Sequence, residues 1–304
     1  MSNRRWWPTL GREREPPSRP PERLNRTRII VVGNEKGGAG KTTLASLIAT
    51  AMLYRGARVA VMDLDLRQSS LGRFLANRRR WLAQTGERAP MPLEYKLSED
   101  PDALSRLDPA GAVPLFEQAI IMAVGAADIV VIDTPGGDTL VSRAAHLQAD
   151  LVVTPMNDSF IDFDVLGVVD PLTLELLRPS HYSRVVHEAR RARAGYGRQL
   201  DWVVMPNRLA PTEARNRSRL QKDIEALSRQ VGFRIGPALH ERVIYRELFP
   251  FGLTIADVSH GLRPIKISAP RDVVQGELEA VLETLGLGHV VFDRPHVQPE
   301  RRPW

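Results

Sequence analysis

An apolar run, Ile29-Ile30-Val31-Val32, opens directly into Gly33-Asn34-Glu35-Lys36-Gly37-Gly38-Ala39-Gly40-Lys41-Thr42, which leads into the helix-forming stretch Thr43-Leu44-Ala45-Ser46-Leu47-Ile48-Ala49. A buried strand, a glycine loop and a helix in that order are the context of a phosphate-binding loop. Glycines let successive backbone N–H groups turn inward around an anion, and the helix start adds its unpaired N–H groups and the positive end of its dipole. In such a loop Gly37, Gly38, Ala39, Gly40, Lys41, Thr42 and Thr43 form the cradle, with Lys41 along the β- and γ-phosphates and the Thr42 hydroxyl on Mg²⁺. Two features depart from the ordinary pattern. Glu35 stands where a glycine is usual, and a second lysine, Lys36, sits inside the loop, where an ordinary nucleotidase has no use for it.

Further βα units follow. Val59–Asp63 lies in a second buried strand ending in Asp63-Leu64-Asp65, and a basic helix with Arg73 and Arg78-Arg79-Arg80 comes next. Residues 85–112 read as an insertion or long loop, and Phe116–Val124 as a helix. Asp128–Asp133 is a third buried strand, running into Thr134-Pro135-Gly136-Gly137-Asp138. Then come the strand Leu151–Pro155, a helix within Phe160–Leu177, the strand Trp202–Met205 and a charged helix from Glu213 to about Gln230. Phe233–Ile235, a short helix at Val243–Leu248 and a last helix at Val273–Leu285 complete the pattern. Continuous apolar strands alternating with helices predict an α/β fold, a doubly wound, mostly parallel sheet with helices on both faces. The expected organisation is a disordered basic arm at 1–26, an ATPase domain at 27–287 and a flexible tail at 288–304.

Charge and composition limit the partners. The net charge is +6, but seven arginines against three glutamates in residues 1–26 carry +4 of it, so any nucleic-acid site beyond the arm must be a local patch. Only five lysines occur, two of them in the glycine loop. A compact ammonium fits between phosphates where a broad guanidinium does not. With no cysteine there is no disulfide, thiolate zinc site or iron–sulfur cluster ligation. No run approaches the roughly 18 apolar residues of a membrane span, and the N-terminus lacks a signal-peptide core, so a cytoplasmic location is expected.

Three carboxylates fall at strand ends, where ligands bind in open parallel sheets. Asp133 is placed to hold the water shell of Mg²⁺, Asp63 beside it joins Asp133 and Thr42 as the expected metal residues, and Asp65 is placed to orient the attacking water. Phosphoryl transfer depends mainly on positioning and charge neutralisation, so this set suits it.

Lys36-Gly37-Gly38-Ala39-Gly40-Lys41-Thr42-Thr43, together with Asp63-Leu64-Asp65 and Asp133-Thr134-Pro135-Gly136, resembles the deviant Walker A ATPases, the ParA partition and MinD division-site proteins with their P-loop NTPase fold. Asn34-Glu35-Lys36, Leu66-Arg67-Gln68, Thr154–Phe160, Thr212–Arg217 and Val243–Thr254 narrow the resemblance to the MipZ division-plane positioning ATPases, over residues 28–285. The resemblance implies an ATP-bound homodimer in which Lys36 reaches the partner's nucleotide, with Lys36, Asp65 and Lys41 serving hydrolysis. It further implies an adenine contact from Asn207, sequence-blind binding to chromosomal DNA, an interaction with a ParB-type protein, inhibition of FtsZ polymerisation and association with the nucleoid.

Arg215 and Arg219 share one helix face, and Arg242 and Arg246 lie on a later helix, which makes Arg215, Arg219 and Arg242 the expected phosphate contacts on DNA. Other readings fit less well. A MinD-like membrane ATPase needs a basic amphipathic C-terminal helix, whereas the last helix here carries Glu277, Glu279 and Glu283. An iron–sulfur carrier lacks its cysteines, and a dethiobiotin-type ligase has no evident need for Lys36. A ParA partition ATPase shares the nucleotide, the dimer and the DNA, and stands as the alternative. The seven histidines show no metal-ligand spacing.

Overall fold

The computed structural model describes residues 26–98, 110–157, 164–170, 176–209, 224–237, 239–240, 243–262, 264, 271–290 and 292. Strands β1 (Arg28–Val32), β2 (Val59–Asp63), β3 (Leu93–Glu94), β4 (Ile129–Asp133), β5 (Leu151–Asn157), β8 (Asp201–Leu209), β9 (Arg234–Ile235) and β10 (Leu239–His240) form one sheet. Its order is β10-β8-β5-β1-β4-β2-β3, with β9 also on β8, and every pairing in it is parallel. β1 is central. Val32 lies opposite Asp133 of β4, and Ile30 opposite Leu151 of β5. After β1 the chain crosses to the β2 side, and after β4 it crosses back over β1 to β5, so the glycine loop leaves the sheet where the winding reverses.

Helices cover both faces. On one pack α1 (Lys41–Tyr54), α2 (Ser70–Thr85), α6 (Val243–Leu248), α7 (Ile255–Ser259) and α8 (Arg271–Thr284), against Ile30, Val32, Val131, Val153 and Val203. On the other pack α3 (Ala112–Ala126), α4 (Leu140–Gln148), α5 (His181–Gly195) and the helical residues 224–231, against Val31, Val130, Ile132, Val152 and Trp202. Each central strand is thus buried on both sides, which is why it reads as an unbroken apolar run. No helix among the described residues is long and apolar enough to cross a membrane.

Four local expectations change. Within 160–177 the described residues show no helix beyond a single turn at 164–165; Gly167–Val169 (β6) pairs antiparallel with Leu176–Pro179 (β7). Gly167 permits this ribbon, since a Cβ there would lie 2.2 Å from a Leu176 methyl carbon. The 85–112 stretch is not wholly an insertion: Leu93 and Glu94 pair with Ala60 and Val61 as β3. The tail begins later than 288, because Val290 is buried in the core and Arg55 donates to the Gly288 carbonyl. Helix α5 was not expected at all. Ser180 caps it by accepting the Ser183 N–H at 2.9 Å, and Tyr182, Val185, Val186 and Ala189 form its buried stripe.

The arginine cluster of α2 is not a solvated face throughout. Arg78 is buried and pairs bidentately with buried Asp257, at 2.7 and 3.0 Å. Its remaining donors reach the carbonyls of Pro90 at 3.2 Å and Gly252 at 3.0 Å. Asp257 also accepts from the Thr254 N–H at 2.7 Å and the Tyr54 hydroxyl at 2.9 Å, so it joins α1, α2 and α7. Gly252 has φ 64°, and a Cβ there would stand 2.1 Å from the Arg78 nitrogen, so only glycine fits.

Such a pair is costly to break from one side, because the survivor is left charged and dry. Arg78→Met is expected to lose about 3–5 kcal/mol of stability, read as a lower urea midpoint. An unchanged midpoint would show that the pair contributes nothing to holding α2 and α7 together.

Candidate functional site

The loop from Gly33 to Gly40 leaves the end of β1 and enters α1. Gly33 sits against α4 and α5: a Cβ there would meet the Tyr182 hydroxyl at 2.7 Å and His146 Nε2 at 2.9 Å. That hydroxyl belongs to a buried polar group under the loop. His146 Nε2 lies 3.2 Å from it, Thr154 Oγ1 3.0 Å, and the Trp202 indole N–H donates to Thr154 Oγ1 at 3.0 Å. Burial keeps the His146 imidazole below its ordinary pKa, hence neutral.

Gly38 and Gly40 hold left-handed conformations, φ 74° and 93°, which side chains resist. Gly40 is the N-cap of α1 and offers no side chain to its first N–H groups, nor does the first turn hold an acidic residue. The helix start is left bare, as an anion site requires. Asn34 sets the loop's entry: its Nδ2 donates to the Pro155 carbonyl at 2.7 Å, and its Oδ1 accepts the Lys36 N–H at 2.8 Å.

Lys41, buried at the first turn of α1, donates its Nζ to the Lys36 carbonyl at 2.9 Å. Desolvation lowers its pKa, opposed by the charges of Asp133 and Asp65. The Thr42 hydroxyl donates to Asp133 Oδ2 at 2.6 Å. Asp133 is buried at the end of β4, and its other oxygen, Oδ1, has no hydrogen-bond partner. Burial pushes this carboxyl up to about 8, with Asp63 and Asp65 adding to the rise and Thr42 and Lys41 opposing it. Beside a lysine and a hydroxyl, this carboxyl keeps one oxygen without a partner.

The other expected residues are placed as follows. Asp63 ends β2, and its oxygens accept the backbone N–H groups of Asp65, Leu71 and Gly72 at 2.9–3.1 Å, clamping the start of α2. Asp65 is half-buried and accepts the Gln68 N–H at 3.0 Å. Ala39 is buried, while Gly37 and Gly38 are exposed. Lys36 and Thr43 are half-buried. Asn207 is placed by its backbone on β8, opposite Asn157 of β5 and Leu239 of β10. Arg215, Arg219 and Arg242 lie outside the described residues.

Two neighbours of the loop escaped the sequence reading. Gly136, from the turn after β4, backs onto it, since a Cβ there would stand 3.4 Å from the Gly37 backbone. Beside it, Glu35, Asp138, Arg143 and His181 gather from the loop, the β4–α4 turn, α4 and α5. Only the unusual Glu35 hinted at this group in the sequence.

Comparisons with known proteins agree with the geometry. The family model described as ATPase MipZ matches residues 28–289. Protein ParA of Rhizobium radiobacter is 27% identical over 226 residues, 74% of this chain and 83% of that protein. An iron–sulfur cluster carrier protein of Deinococcus radiodurans is 28% identical over 172 residues, 48% of this chain, and the match spans 49% of that protein's length. Among solved structures, apo McdA of Cyanothece superposes with a TM-score of 0.58 at 19% identity, covering 86% of this chain and all of that one. That likeness shows the P-loop α/β fold. With the glycine loop, its paired lysines and the model match across nearly the whole described chain, this protein belongs to the MipZ family of ATPases.

Proposed function

We propose that this ATPase is a nucleotide-driven dimerisation switch that binds chromosomal DNA without sequence preference, interacts with a ParB-type protein and restrains FtsZ polymerisation, so placing the division plane. The observation that carries the nucleotide part is the unpartnered Asp133 Oδ1 behind Thr42, at the bare N-terminus of α1. A buried carboxyl oxygen without a partner at the end of β4, beside a threonine hydroxyl and a lysine at the start of α1, fits Mg²⁺ and a triphosphate. The cellular roles rest on family membership, and the alternative is a ParA-type chromosome or plasmid partition ATPase.

When bound, Mg²⁺–ATP supplies the scissile phosphoryl bond and the divalent charge that neutralises its oxygens. The N–H groups of residues 37–43 hold the phosphate oxygens. Lys41 exchanges the Lys36 carbonyl for the β- and γ-phosphates. Thr42 and Asp133 would hold the cation. Asp63 keeps the start of α2 in place, and Asp65 orients the attacking water. Lys36, at the loop's open side, reaches the nucleotide of a second subunit, while Asn207 contacts adenine. Arg215, Arg219 and Arg242 hold DNA phosphates in the ATP-bound dimer.

Several measurements bear on this reading. Lys41→Ala is expected to weaken nucleotide binding by at least about tenfold. Lys36→Ala is expected to bind nucleotide normally yet remain monomeric with a non-hydrolysable analogue, by light scattering. A Lys36→Ala protein that still dimerises would remove the switch.

Asp133 gives a pH test. Its pKa rises on folding to about 8, so the stability it contributes is complete below the unfolded value near 4 and is lost as pH climbs through 8. The melting temperature of the nucleotide-free protein should therefore fall from pH 5 to 8.5 by more than that of Asp133→Asn. Added Mg²⁺–nucleotide should close most of the gap. Parallel pH profiles for the two proteins would refute the assignment.

For DNA, Arg215→Ala with Arg219→Ala should weaken binding of the ATP-bound protein and reduce its salt slope by about 2. Unchanged affinity at moderate salt would place the contacts elsewhere. FtsZ filaments left undisturbed by the protein with ATP would favour the partition alternative.

A further inference from the structure

The glycine loop has little with which to hold its own shape. A Cβ added at Gly37 or Gly38 would meet nothing within 4 Å, so no neighbour packs where those side chains would be. Besides the Lys41 Nζ bond to the Lys36 carbonyl, anchoring comes from the two residues before Lys36. Asn34 ties the loop to the end of β5 and holds the Lys36 N–H. Glu35 packs the other way, toward α5. Its Oε1 is shut off from solvent without a hydrogen-bond partner and lies 3.8 Å from His181 Nε2.

His181, the first residue of α5, is itself held. Its Nε2 stands 2.8 Å from Asp138 Oδ2, and Arg143 binds both Asp138 oxygens, one through Nε at 2.7 Å and the other through Nη2. Glu35, Asp138 and His181 have the donor set of a divalent-cation site. The Arg143 guanidinium already serves Asp138 and stands 3.2 Å from His181 Nε2, so the cation of this cluster is built in. Asp138 lies five residues beyond Asp133, and Gly136 between them touches the Gly37 backbone. The β4–α4 turn therefore borders the loop on both sides of Lys36, at Gly37 directly and at Glu35 through His181.

We infer that Glu35, held from α5 by His181, which Asp138 in turn fixes, is a positioning residue for Lys36, fixing the peptide from which its side chain departs toward a second subunit. The inference rests on the reading of Lys36 as the group that crosses the dimer interface. A long lysine side chain loses rotamer freedom when it docks. A base that also wandered would add to that loss, and fixing the base beforehand removes it. The glycine usual at position 35 has no side chain with which to do this, which gives the departure from the ordinary loop a purpose.

The test separates dimerisation from nucleotide binding. The full chain and its variants Lys36→Ala, Glu35→Ala, Glu35→Gln, His181→Ala and Glu35→Ala/His181→Ala are compared with a non-hydrolysable ATP analogue. Dimer dissociation is followed by sedimentation equilibrium, and analogue affinity by titration of a fluorescent derivative. Glu35→Ala and His181→Ala should each weaken the dimer about tenfold, and the double variant no further, because both remove one contact. Glu35→Gln, which keeps the shape of the side chain and cannot misfold through lost volume, should weaken it in the same direction. Analogue affinity, titrated at protein concentrations low enough to keep every variant monomeric, should stay at the wild-type value throughout. If Lys36→Ala dimerises normally, the parent reading fails and takes this one with it. If Lys36→Ala is monomeric while the Glu35 and His181 variants dimerise like wild type, or their effects add, or analogue binding falls in step, this inference alone is overturned.

Discussion

The hydrogen bond from the Thr42 hydroxyl to Asp133, at 2.6 Å, joins the first turn of α1 to the end of β4. It exists only because β1 and β4 are neighbours in register, with Val32 opposite Asp133. That pairing brings the glycine loop, the β4–α4 turn and the Asp63–Asp65 segment to one end of the sheet. The segment is tied in by the Leu64 N–H donating to the Asp133 carbonyl at 2.9 Å. Lys41, Thr42, Asp63 and Asp65 surround there a buried carboxyl whose second oxygen is unsatisfied.

An unsatisfied buried acid costs stability unless something compensates it. Here the compensation is spread over Lys41 and Thr42, and the carboxyl remains far above its ordinary pKa. The nucleotide-free site is thus held at an energetic disadvantage, with one buried oxygen unsatisfied. The buried Arg78–Asp257 pair shows the opposite arrangement. Its donors and acceptors meet partners on three helices and two carbonyls, so that pair fastens the α2–α7 corner. One buried carboxyl is saturated and structural, the other keeps an oxygen without a partner.

How much of this was legible in the sequence follows from range. β1, α1, β2 and β4 announce themselves because strands covered on both faces must be apolar throughout, and Gly40-Lys41-Thr42 marks the turn between β1 and α1. α5 stayed hidden because its stripe of Tyr182, Val185, Val186 and Ala189 is interleaved with histidines and arginines that look solvated. Two-residue β3 has no periodicity to detect, and leucine-rich 160–177 suggested a helix where Gly167 allows a ribbon. Arg78 sits among three consecutive arginines, and nothing local says which one turns inward.

By itself, then, the sequence determined the parallel α/β architecture, the phosphate loop with its two lysines and the carboxylates at strand ends. These are consequences of apolar runs, glycines and short spacings, all written locally. Tertiary structure alone decided what those groups touch. It turned Asp63 onto the start of α2, left Asp133 Oδ1 unpartnered and assembled Glu35, Asp138, Arg143 and His181 from residues up to 146 positions apart. Charges and hydrogen bonds act over a few ångströms, and which residues come that close is set by how strands and helices pack, not by their order along the chain.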